Sequence, residues 1–279
     1  MPDRSVLITG GTAGMGYHCA INIARQHPDY QIVLASRTNR HDAAAAINRL
    51  LGQANVSYLR LDLSSLAAVR SFVAEWEAKK YPPIQALLLN AGLQFPDGVG
   101  YTVDGFERTF AINHVGHALL FSLLKPHFAD TARIVVTSSG THDPAQKTGL
   151  PDAKYTTAEE LSHPTPDSAR NPGRQRYLTS KLVNSWTVVA FDPGLMPGTG
   201  LVREGNSIER FLWLHESGAN LAWLATSPEV EGISGVYYKE RRQIKSSDES
   251  YDERKQEELC EWTVKNTATS EEEADSFRI

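Results

Sequence analysis

Short apolar runs alternate with helical patterns along most of the chain. The apolar runs are nearly continuous in Val, Ile and Leu, and the segments between them have the spacing of amphipathic helices. Predicted strands cover Ser5–Thr9, Gln31–Ala35, Ser57–Leu61, Ile84–Leu89, Arg133–Thr137 and Thr187–Phe191, and predicted helices cover Gly16–Gln26, Ala43–Leu51, Leu66–Lys80 and Phe106–Leu124. This order predicts an α/β fold, in which a parallel sheet is covered by helices on both faces.

The domain organisation follows from the absence of any repeat or Pro/Ser-rich linker in the 279 residues. We expect residues 1–265 to form one doubly wound domain, with an inserted surface loop at 140–176, where Pro, Asp, Thr and Gly are frequent. Residues 200–216 are predicted to form either a lid over a substrate or an ordinary packed helix. The acidic residues 266–279 are predicted to be a disordered tail.

The composition argues against several functional classes. A formal net charge of −5 offers no basic surface for nucleic acid or an anionic membrane. Two cysteines, Cys19 and Cys260, cannot supply a disulfide framework, and no apolar run reaches the ~18 residues of a membrane span. The first predicted strand begins at Ser5, so a leader peptide is not expected. These features predict a cytoplasmic protein without stable membrane insertion.

A glycine-rich turn, TGGTAGMG at 9–16, joins the first strand to the first helix. Glycine lets the backbone approach a ligand closely, and the N–H groups at a helix start attract a pyrophosphate. Such a turn can merely cap a helix, but its position in a βαβ unit favours the Rossmann type of dinucleotide site. The residues predicted to contact the dinucleotide here are Gly10, Thr12, Gly14, Met15 and Gly16.

Arg37 follows the second strand, where an acidic residue would accept hydrogen bonds from a ribose 2′-hydroxyl group. A guanidinium group instead pairs with a 2′-phosphate through two charge-assisted hydrogen bonds. The sequence therefore predicts NADP(H) rather than NAD(H). The alternative is a solvated surface arginine.

Two further strand ends carry residues that suit a cofactor site. Asp62 and Leu63 follow the third strand, where a side chain could reach an adenine, and Asn90, Ala91 and Gly92 follow the fourth. Taken alone, the residues of either segment could serve only to stabilise a turn. Because the carboxyl ends of parallel strands open into one crevice, we predict that all five residues contact the cofactor.

The spacing of Tyr177 and Lys181 places both side chains on one face of a helix. A phenol with a pKa near 10 is a weak acid–base catalyst at neutral pH, and one cation at ~4 Å supplies ~4 kcal/mol at an effective dielectric of 20, enough to lower that pKa substantially. Ser139, after the fifth strand, offers a hydroxyl group to a substrate oxygen. Asn113 is polar within an apolar helix, which indicates a water site, a kink or a satisfied core amide.

Together these residues resemble the motifs of the short-chain dehydrogenase/reductase superfamily over nearly the whole chain. The glycine turn, the Asp-Leu pair, N-A-G, the helical Asn, the Ser and Y-x-x-x-K occur in the family's order. The resemblance implies that Tyr177 is the general acid/base, that Ser139 rather than Ser138 polarises the substrate, and that Lys181 binds the nicotinamide ribose and lowers the tyrosine pKa. It also implies that Asn113 holds a proton-relay water.

The same resemblance implies that Pro193, Gly194 and Thr199 lie beside the cofactor. Several stretches are similar to the retinol dehydrogenase and protochlorophyllide reductase branch, namely those at 61–66, 112–117, 193–201 and 234–237. Val183 stands where the light-driven reductases carry a cysteine. Dark carbonyl chemistry is therefore favoured over light-driven tetrapyrrole reduction.

The connection after the catalytic pair is short, since five residues separate Lys181 from Thr187. A helix that covers a strand needs ~11 or more residues, so the second half of this helix and its return loop look missing. A segment left out of the sequence or a deletion explains this better than an altered local path. A real deletion would compromise the parallel crossover and the family's usual helix-pair dimer surface.

The sequence thus predicts an NADP(H)-dependent oxidoreductase that transfers a hydride between nicotinamide and a small-to-medium, hydrophobic carbonyl or alcohol substrate. The alternative is a catalytically impaired NADP(H)-binding sensor, because of the short connection. The expected partners are a small-molecule substrate and a second copy of the chain in a homodimer. His114 and His117 are three residues apart, but no further ligand converges on them, so a metal site is not expected.

Overall fold

The computed structural model describes residues 2–186, 189–194 and 214–277. Its strands are β1 (Arg4–Thr9), β2 (Tyr30–Ser36), β3 (Val56–Arg60), β4 (Ile84–Leu89), β5 (Phe128–Thr137), β6 (Val189–Asp192), β7 (Val236–Lys239) and β8 (Arg242–Ile244). Within the described residues they form one sheet in the order β3-β2-β1-β4-β5-β6-β7-β8. Every neighbouring pair is parallel except β7 and β8, which confirms the predicted doubly wound α/β fold.

The helices connect the strands and cover the sheet. They are α1 (Gly14–Gln26), α2 (Ala43–Leu51), α3 (Leu66–Lys79), α4 (Arg108–Phe110), α5 (Gly116–Leu124), α6 (Ala158–Ser162), α7 (Gly173–Asn184), α8 (Leu214–Thr226), α9 (Glu253–Thr267) and α10 (Glu271–Ser276). A π-helical turn, Ala111–Val115, joins α4 to α5. Within the described part of the chain, no helix has the length and apolar character needed to cross a membrane.

Both faces of the sheet are buried, which explains why its strands show so little polar alternation. In β1, Val6 and Ile8 pack on one face with side chains of α1 and α8. Leu7 lies between them in sequence and packs on the opposite face with side chains of α3 and α5. All three side chains are fully buried. Since successive side chains of a strand point to opposite faces, a strand covered on both sides must be apolar throughout.

The connection from α7 to β6 passes through residues 187–188, which lie outside the described residues. Helix α7 ends at Asn184, and the backbone N–H groups of Ser185 and Trp186 bond back to the last turn of that helix. Within the described residues, β6 pairs with β5 only through Ala190 and Phe191, opposite the carboxyl end of β5. A segment left out of the sequence, or a deletion, at this connection stays a prediction. The parallel crossover is retained, although its pairing is brief.

Residues 140–176 were predicted to be an irregular loop, but they contain helical turns, helix α6 and the start of α7. Tyr155 and Ala158 from this insert pack with Leu182 of α7 and Trp262 of α9. The insert therefore covers part of the outer face of the helix that carries Tyr177.

The acidic tail also differs from its prediction, because α9 continues to Thr267 and α10 follows it. Ser270 caps α10 by accepting a hydrogen bond from the Glu273 backbone at 3.2 Å. Arg70 of α3 pairs with Glu273 and donates to the Thr267 carbonyl at 2.7 Å. A capped helix anchored by a guanidinium group replaces the disorder that the composition predicts.

Candidate active site

The glycine turn forms an open cradle at the start of α1. Gly10 and Gly14 have φ angles of +69° and +57°, in the left-handed region that favours glycine. A Cβ at Gly16 would lie 2.6 Å from the Gly10 carbonyl oxygen, whereas a Cβ at Gly14 would meet no atom within 4 Å. Ala13 precedes the helix and makes no side-chain cap. The start of α1 therefore has no side-chain cap from Ala13, which fits an anion site.

Arg37 is exposed directly after β2. The Thr12 hydroxyl donates to the Thr38 carbonyl at 3.1 Å, which ties the segment carrying Arg37 to the glycine turn. Among ion pairs between described residues, none involves Arg37. Its guanidinium group is thus available to an external anion beside the turn. Met15, another residue predicted to contact the cofactor, lies in the first turn of α1 and is buried in the core.

Asp62 and Leu63 follow β3 and take part in local packing. One Asp62 carboxylate oxygen accepts hydrogen bonds from the Ser64 backbone at 3.0 Å and from the Ser64 hydroxyl at 2.6 Å. Asp62 therefore stabilises a local turn, which is the alternative to a cofactor contact that the sequence allowed. The Leu63 carbonyl lies against Gly116, where no Cβ would fit, so α5 approaches the site closely.

The N-A-G segment after β4 is fastened to the end of β1. The Thr9 hydroxyl oxygen accepts hydrogen bonds from the backbone N–H groups of Asn90 at 2.9 Å and Ala91 at 3.0 Å. The Asn90 amide in turn donates to the Thr9 carbonyl at 2.8 Å. A Cβ at Gly92 would lie 3.2 Å from the Lys181 ammonium nitrogen. The structure therefore brings the glycine turn, the N-A-G segment and Lys181 together.

Asn113 lies in the π-helical turn and its amide is satisfied by protein groups. Its Oδ1 accepts from the Leu93 backbone at 2.8 Å, and its Nδ2 donates to the Leu93 carbonyl and the Ser180 hydroxyl, both at 3.0 Å. Its backbone carbonyl accepts from Asn184 at 3.2 Å. The sequence offered a water site, a kink or a satisfied core amide for Asn113. The structure shows a satisfied amide within an irregular turn of helix. The proton-relay water remains a prediction.

Lys181 and Tyr177 share one face of α7, and the Lys181 nitrogen lies 5.6 Å from the tyrosine ring centroid. The lysine is 2% exposed and donates to the Thr137 carbonyl at 2.8 Å. Burial lowers the pKa of Lys181 to about 8. Burial, followed by the Asp192 carboxylate, raises the pKa of Tyr177 above its ordinary value. The lowered tyrosine pKa that we expected is therefore absent, because desolvation and a nearby carboxylate dominate over the lysine.

The two serines after β5 have different environments. Ser138 is buried, and its hydroxyl donates to the Lys181 carbonyl at 2.7 Å. Ser139 is half-buried, and its hydroxyl forms a hydrogen bond with the Thr141 hydroxyl at 2.8 Å. Ser138 thus fastens α7 to the sheet, which leaves Ser139 as the serine that a substrate could reach.

Asp192, at the end of β6, is a site residue that the sequence reasoning missed. It is 3% exposed, and its carboxylate accepts from the Gly194 backbone at 3.0 Å. Gly194 has a φ of +73°, and the Pro193 carbonyl accepts from Ser217 of α8 at 2.9 Å. An acidic residue immediately before a Pro-Gly turn was the available signal. Thr199 and residues 200–213 of the expected lid lie outside the described residues, and 214–216 begin α8.

A cavity of about 600 Å³ lies on the other side of α7. Glu107, Arg176 and Thr179 line it together with residues of the insert, whereas Tyr177 and Lys181 do not. This cavity therefore lies apart from the Tyr177–Lys181 pair.

Comparison with known proteins identifies the family of the chain. The family model described as short chain dehydrogenase matches residues 4–151. A polyprenol dehydrogenase of Danio rerio is 30% identical over 93% of this chain and 86% of its own length. Short-chain dehydrogenase TIC 32 B, chloroplastic, of Brassica napus is 27% identical over 94% of this chain and 88% of its own length.

A solved structure of a protein from Mycobacterium paratuberculosis superposes with a TM-score of 0.72 at 23% identity, covering 95% of this chain and 94% of that one. This likeness shows a shared fold. The family match and the relatives show more: the chain belongs to the short-chain dehydrogenase family and is an oxidoreductase of that family. Its assignment to the retinol dehydrogenase and protochlorophyllide reductase branch stays a prediction.

Proposed function

We propose that the protein is an NADP(H)-dependent oxidoreductase that interconverts a carbonyl compound and its alcohol. The observation that carries the proposal is the pairing of Tyr177 with the buried Lys181 ammonium group, next to Gly92 and the glycine turn. When bound, the nicotinamide supplies or accepts the hydride. The residues of the chain hold the reactants and move the proton.

The cofactor site is supported by the cradle at α1. The uncapped helix start and the open side of Gly14 fit a pyrophosphate, and Gly16 permits the close approach of α1 to the turn. Arg37, exposed beside this turn, is proposed to pair with a 2′-phosphate. Asp62, Leu63, Asn90, Ala91, Pro193 and Thr199 remain proposed contacts.

In the direction of reduction, Tyr177 gives its phenolic proton to the carbonyl oxygen of the substrate. The raised pKa of Tyr177 keeps the phenol protonated at neutral pH, so the proton is present, but it also makes the phenol a weaker acid that needs help in releasing it. Ser139 donates a hydrogen bond to the same oxygen. Lys181, whose pKa of about 8 leaves it charged at pH 7, stabilises the phenolate that remains. Asn113 holds α7 in place through Ser180.

The substrate is proposed to be hydrophobic and of small to medium size. The relative named polyprenol dehydrogenase bears the name of an enzyme that acts on an apolar alcohol, which supports an alcohol–carbonyl couple here. Cytoplasmic location and a homodimer remain predictions.

Spectrophotometry tests this proposal directly. NADPH oxidation is followed with a panel of aldehydes, ketones and quinones, and NADPH is then replaced by NADH. We expect turnover of at least one apolar carbonyl compound with NADPH and much weaker turnover with NADH. Equal rates with both cofactors would contradict the assignment of NADP(H).

The second candidate is an NADP(H)-binding sensor without turnover. It is favoured by the brief pairing of β6 with β5 and by the end of α7 at Asn184, three residues after the catalytic lysine. Titration of NADPH by fluorescence distinguishes the two functions. Binding without turnover on any compound of the panel supports the sensor, and turnover excludes it.

A further inference from the structure

His117 is a buried histidine that the proposed chemistry does not use. It lies on α5, is 3% exposed, and bridges the end of β1 and the π-helical turn. Its Nε2 lies 2.9 Å from the Thr9 hydroxyl oxygen, and its Nδ1 lies 3.2 Å from the Asn113 carbonyl oxygen. Both ring nitrogens are therefore committed to groups of the candidate active site.

The hydrogen bonds around the ring define its protonation. A carbonyl oxygen only accepts, so Nδ1 carries a proton and donates it to Asn113. The Thr9 hydroxyl oxygen already accepts two backbone N–H groups, those of Asn90 and Ala91, which fill its lone pairs. The hydroxyl therefore donates its own proton to Nε2, which is nearer than the alternative acceptor, the Leu88 carbonyl at 3.3 Å. His117 is thus a neutral imidazole protonated on Nδ1.

Electrostatics agree with this neutral form. The pKa of His117 is lowered to about 3. Burial is the largest cause, the bond to Asn113 opposes it, and the Lys181 ammonium group and His114 add to the lowering. Thr9 and Asn113 themselves carry no charge. The ring therefore keeps one tautomer throughout the physiological range.

The two ends of this bridge hold different parts of the site. Thr9 fastens the N-A-G segment next to the glycine turn. The Asn113 carbonyl accepts from Asn184, and the Asn113 amide donates to Ser180, so this end is attached to α7. A displacement at Thr9 would affect cofactor binding, whereas a displacement at Asn113 would affect the helix that carries Tyr177.

We propose that His117 is a positioning residue with two separable roles: its bond to Thr9 orders the cofactor turn, and its bond to Asn113 orders the catalytic helix. The kinetic part of this inference rests on the proposed function. The structural part does not rest on it: this part states only that His117 keeps the Nδ1–H tautomer and joins Thr9 to Asn113.

Two substitutions separate the roles. His117→Asn keeps an amide N–H near the position of Nδ1, and His117→Gln keeps an oxygen acceptor near the position of Nε2. We expect His117→Asn to raise the KM for NADPH about fivefold with kcat nearly unchanged, since one net hydrogen bond is worth about that factor. His117→Gln should lower kcat about fivefold with KM nearly unchanged. A parallel change of kcat and KM in both variants, in proportion to lost thermal stability, would overturn the proposal.

A second measurement does not need turnover. In protein labelled with ¹⁵N-histidine, the NMR signals of His117, assigned by their loss in His117→Gln, should show the Nδ1–H tautomer from about pH 8 to about pH 5, a range in which an ordinary histidine titrates. The NADPH dissociation constant should rise in His117→Asn but not in His117→Gln. If the wild-type protein turns over no substrate, the proposed function fails, and these readouts still decide the inference. A ring protonated on Nε2, or one that titrates near pH 6.5, would overturn it.

Discussion

The buried ammonium group of Lys181 links activity to stability at the scale of a single residue. Its pKa is about 8 in the folded protein and 10.5 in an unperturbed lysine. Between those pH values the unfolded chain retains a proton that the folded protein has released, so the free energy of unfolding rises with pH through this window. Below it, the folded protein carries the full cost of the buried charge.

Lys181→Met should therefore abolish turnover and yet stabilise the fold at neutral pH. We expect a gain of about 2 kcal/mol at pH 7, after the lost hydrogen bond to the Thr137 carbonyl is subtracted, and a much smaller gain near pH 10. Urea denaturation at the two pH values measures both. A variant less stable than wild type at pH 7, or a gain independent of pH, would show that the lysine is not held as a buried cation.

Arg37 is the residue on which the choice of cofactor depends. Arg37→Ala should weaken NADPH binding by about 1.5–3 kcal/mol, because charge-assisted bonds to the 2′-phosphate are lost, and leave NADH binding nearly unchanged. Fluorescence titration with the two cofactors measures the difference, and Arg40→Ala, which changes a second arginine of the same exposed segment, is the matched control. Equal losses for NADPH and NADH would mean that Arg37 does not contact the 2′-phosphate.

At the scale of elements, substitutions of two glycines at the start of α1 distinguish effects on stability from effects on NADPH binding. Gly14→Ala meets open space and costs about 1 kcal/mol for its positive φ, but its methyl group enters the proposed pyrophosphate site. Gly16→Ala meets the Gly10 carbonyl at 2.6 Å and forces the backbone to move. We expect both variants to lose NADPH binding and only Gly16→Ala to lose more than about 2 kcal/mol of stability. Urea denaturation and NADPH titration measure the two effects, and normal binding by Gly14→Ala would contradict the anion site.

The short crossover is the element that most affects the choice between enzyme and sensor. Helix α7 keeps Tyr177 and Lys181 within its length, and Ser138 fastens the Lys181 carbonyl to the end of β5. The bonds that orient the proposed catalytic pair therefore lie before the point at which the helix ends. This favours an active enzyme over a cofactor-binding sensor without turnover, even though β6 begins at Val189, soon after the end of α7.

For the whole molecule, the sequence predicts the fold well because burial on both faces of the sheet leaves a pattern in every strand. The glycine turn and the Tyr177–Lys181 pair are also predictable, since each depends on residues adjacent in sequence or on one helix face. The tail is different. Its acidic composition predicts disorder, and its helix is anchored by Arg70, which lies 203 residues before Glu273 in the chain.

Other site features depend on contacts between distant segments. The environment of Asn113 is set by Leu93 and Ser180, and neither pairing follows from the sequence around the asparagine. The local sequence around His117 shows only His114 as a neighbour, whereas its hydrogen-bond partner Thr9 is 108 positions away. The sequence predicts a lowered pKa for Tyr177, because neither the burial of this side chain nor the nearby Asp192 carboxylate is visible in the residues around it.

The central claim is that the phenol of Tyr177 transfers the proton in a reaction of this oxidoreductase. The most direct test is kcat/KM of Tyr177→Phe with the best carbonyl substrate and NADPH, with NADPH affinity measured on the same preparation. The account predicts a loss of about 10²–10⁴-fold in kcat/KM with cofactor affinity nearly unchanged. Turnover within a few-fold of wild type would contradict it.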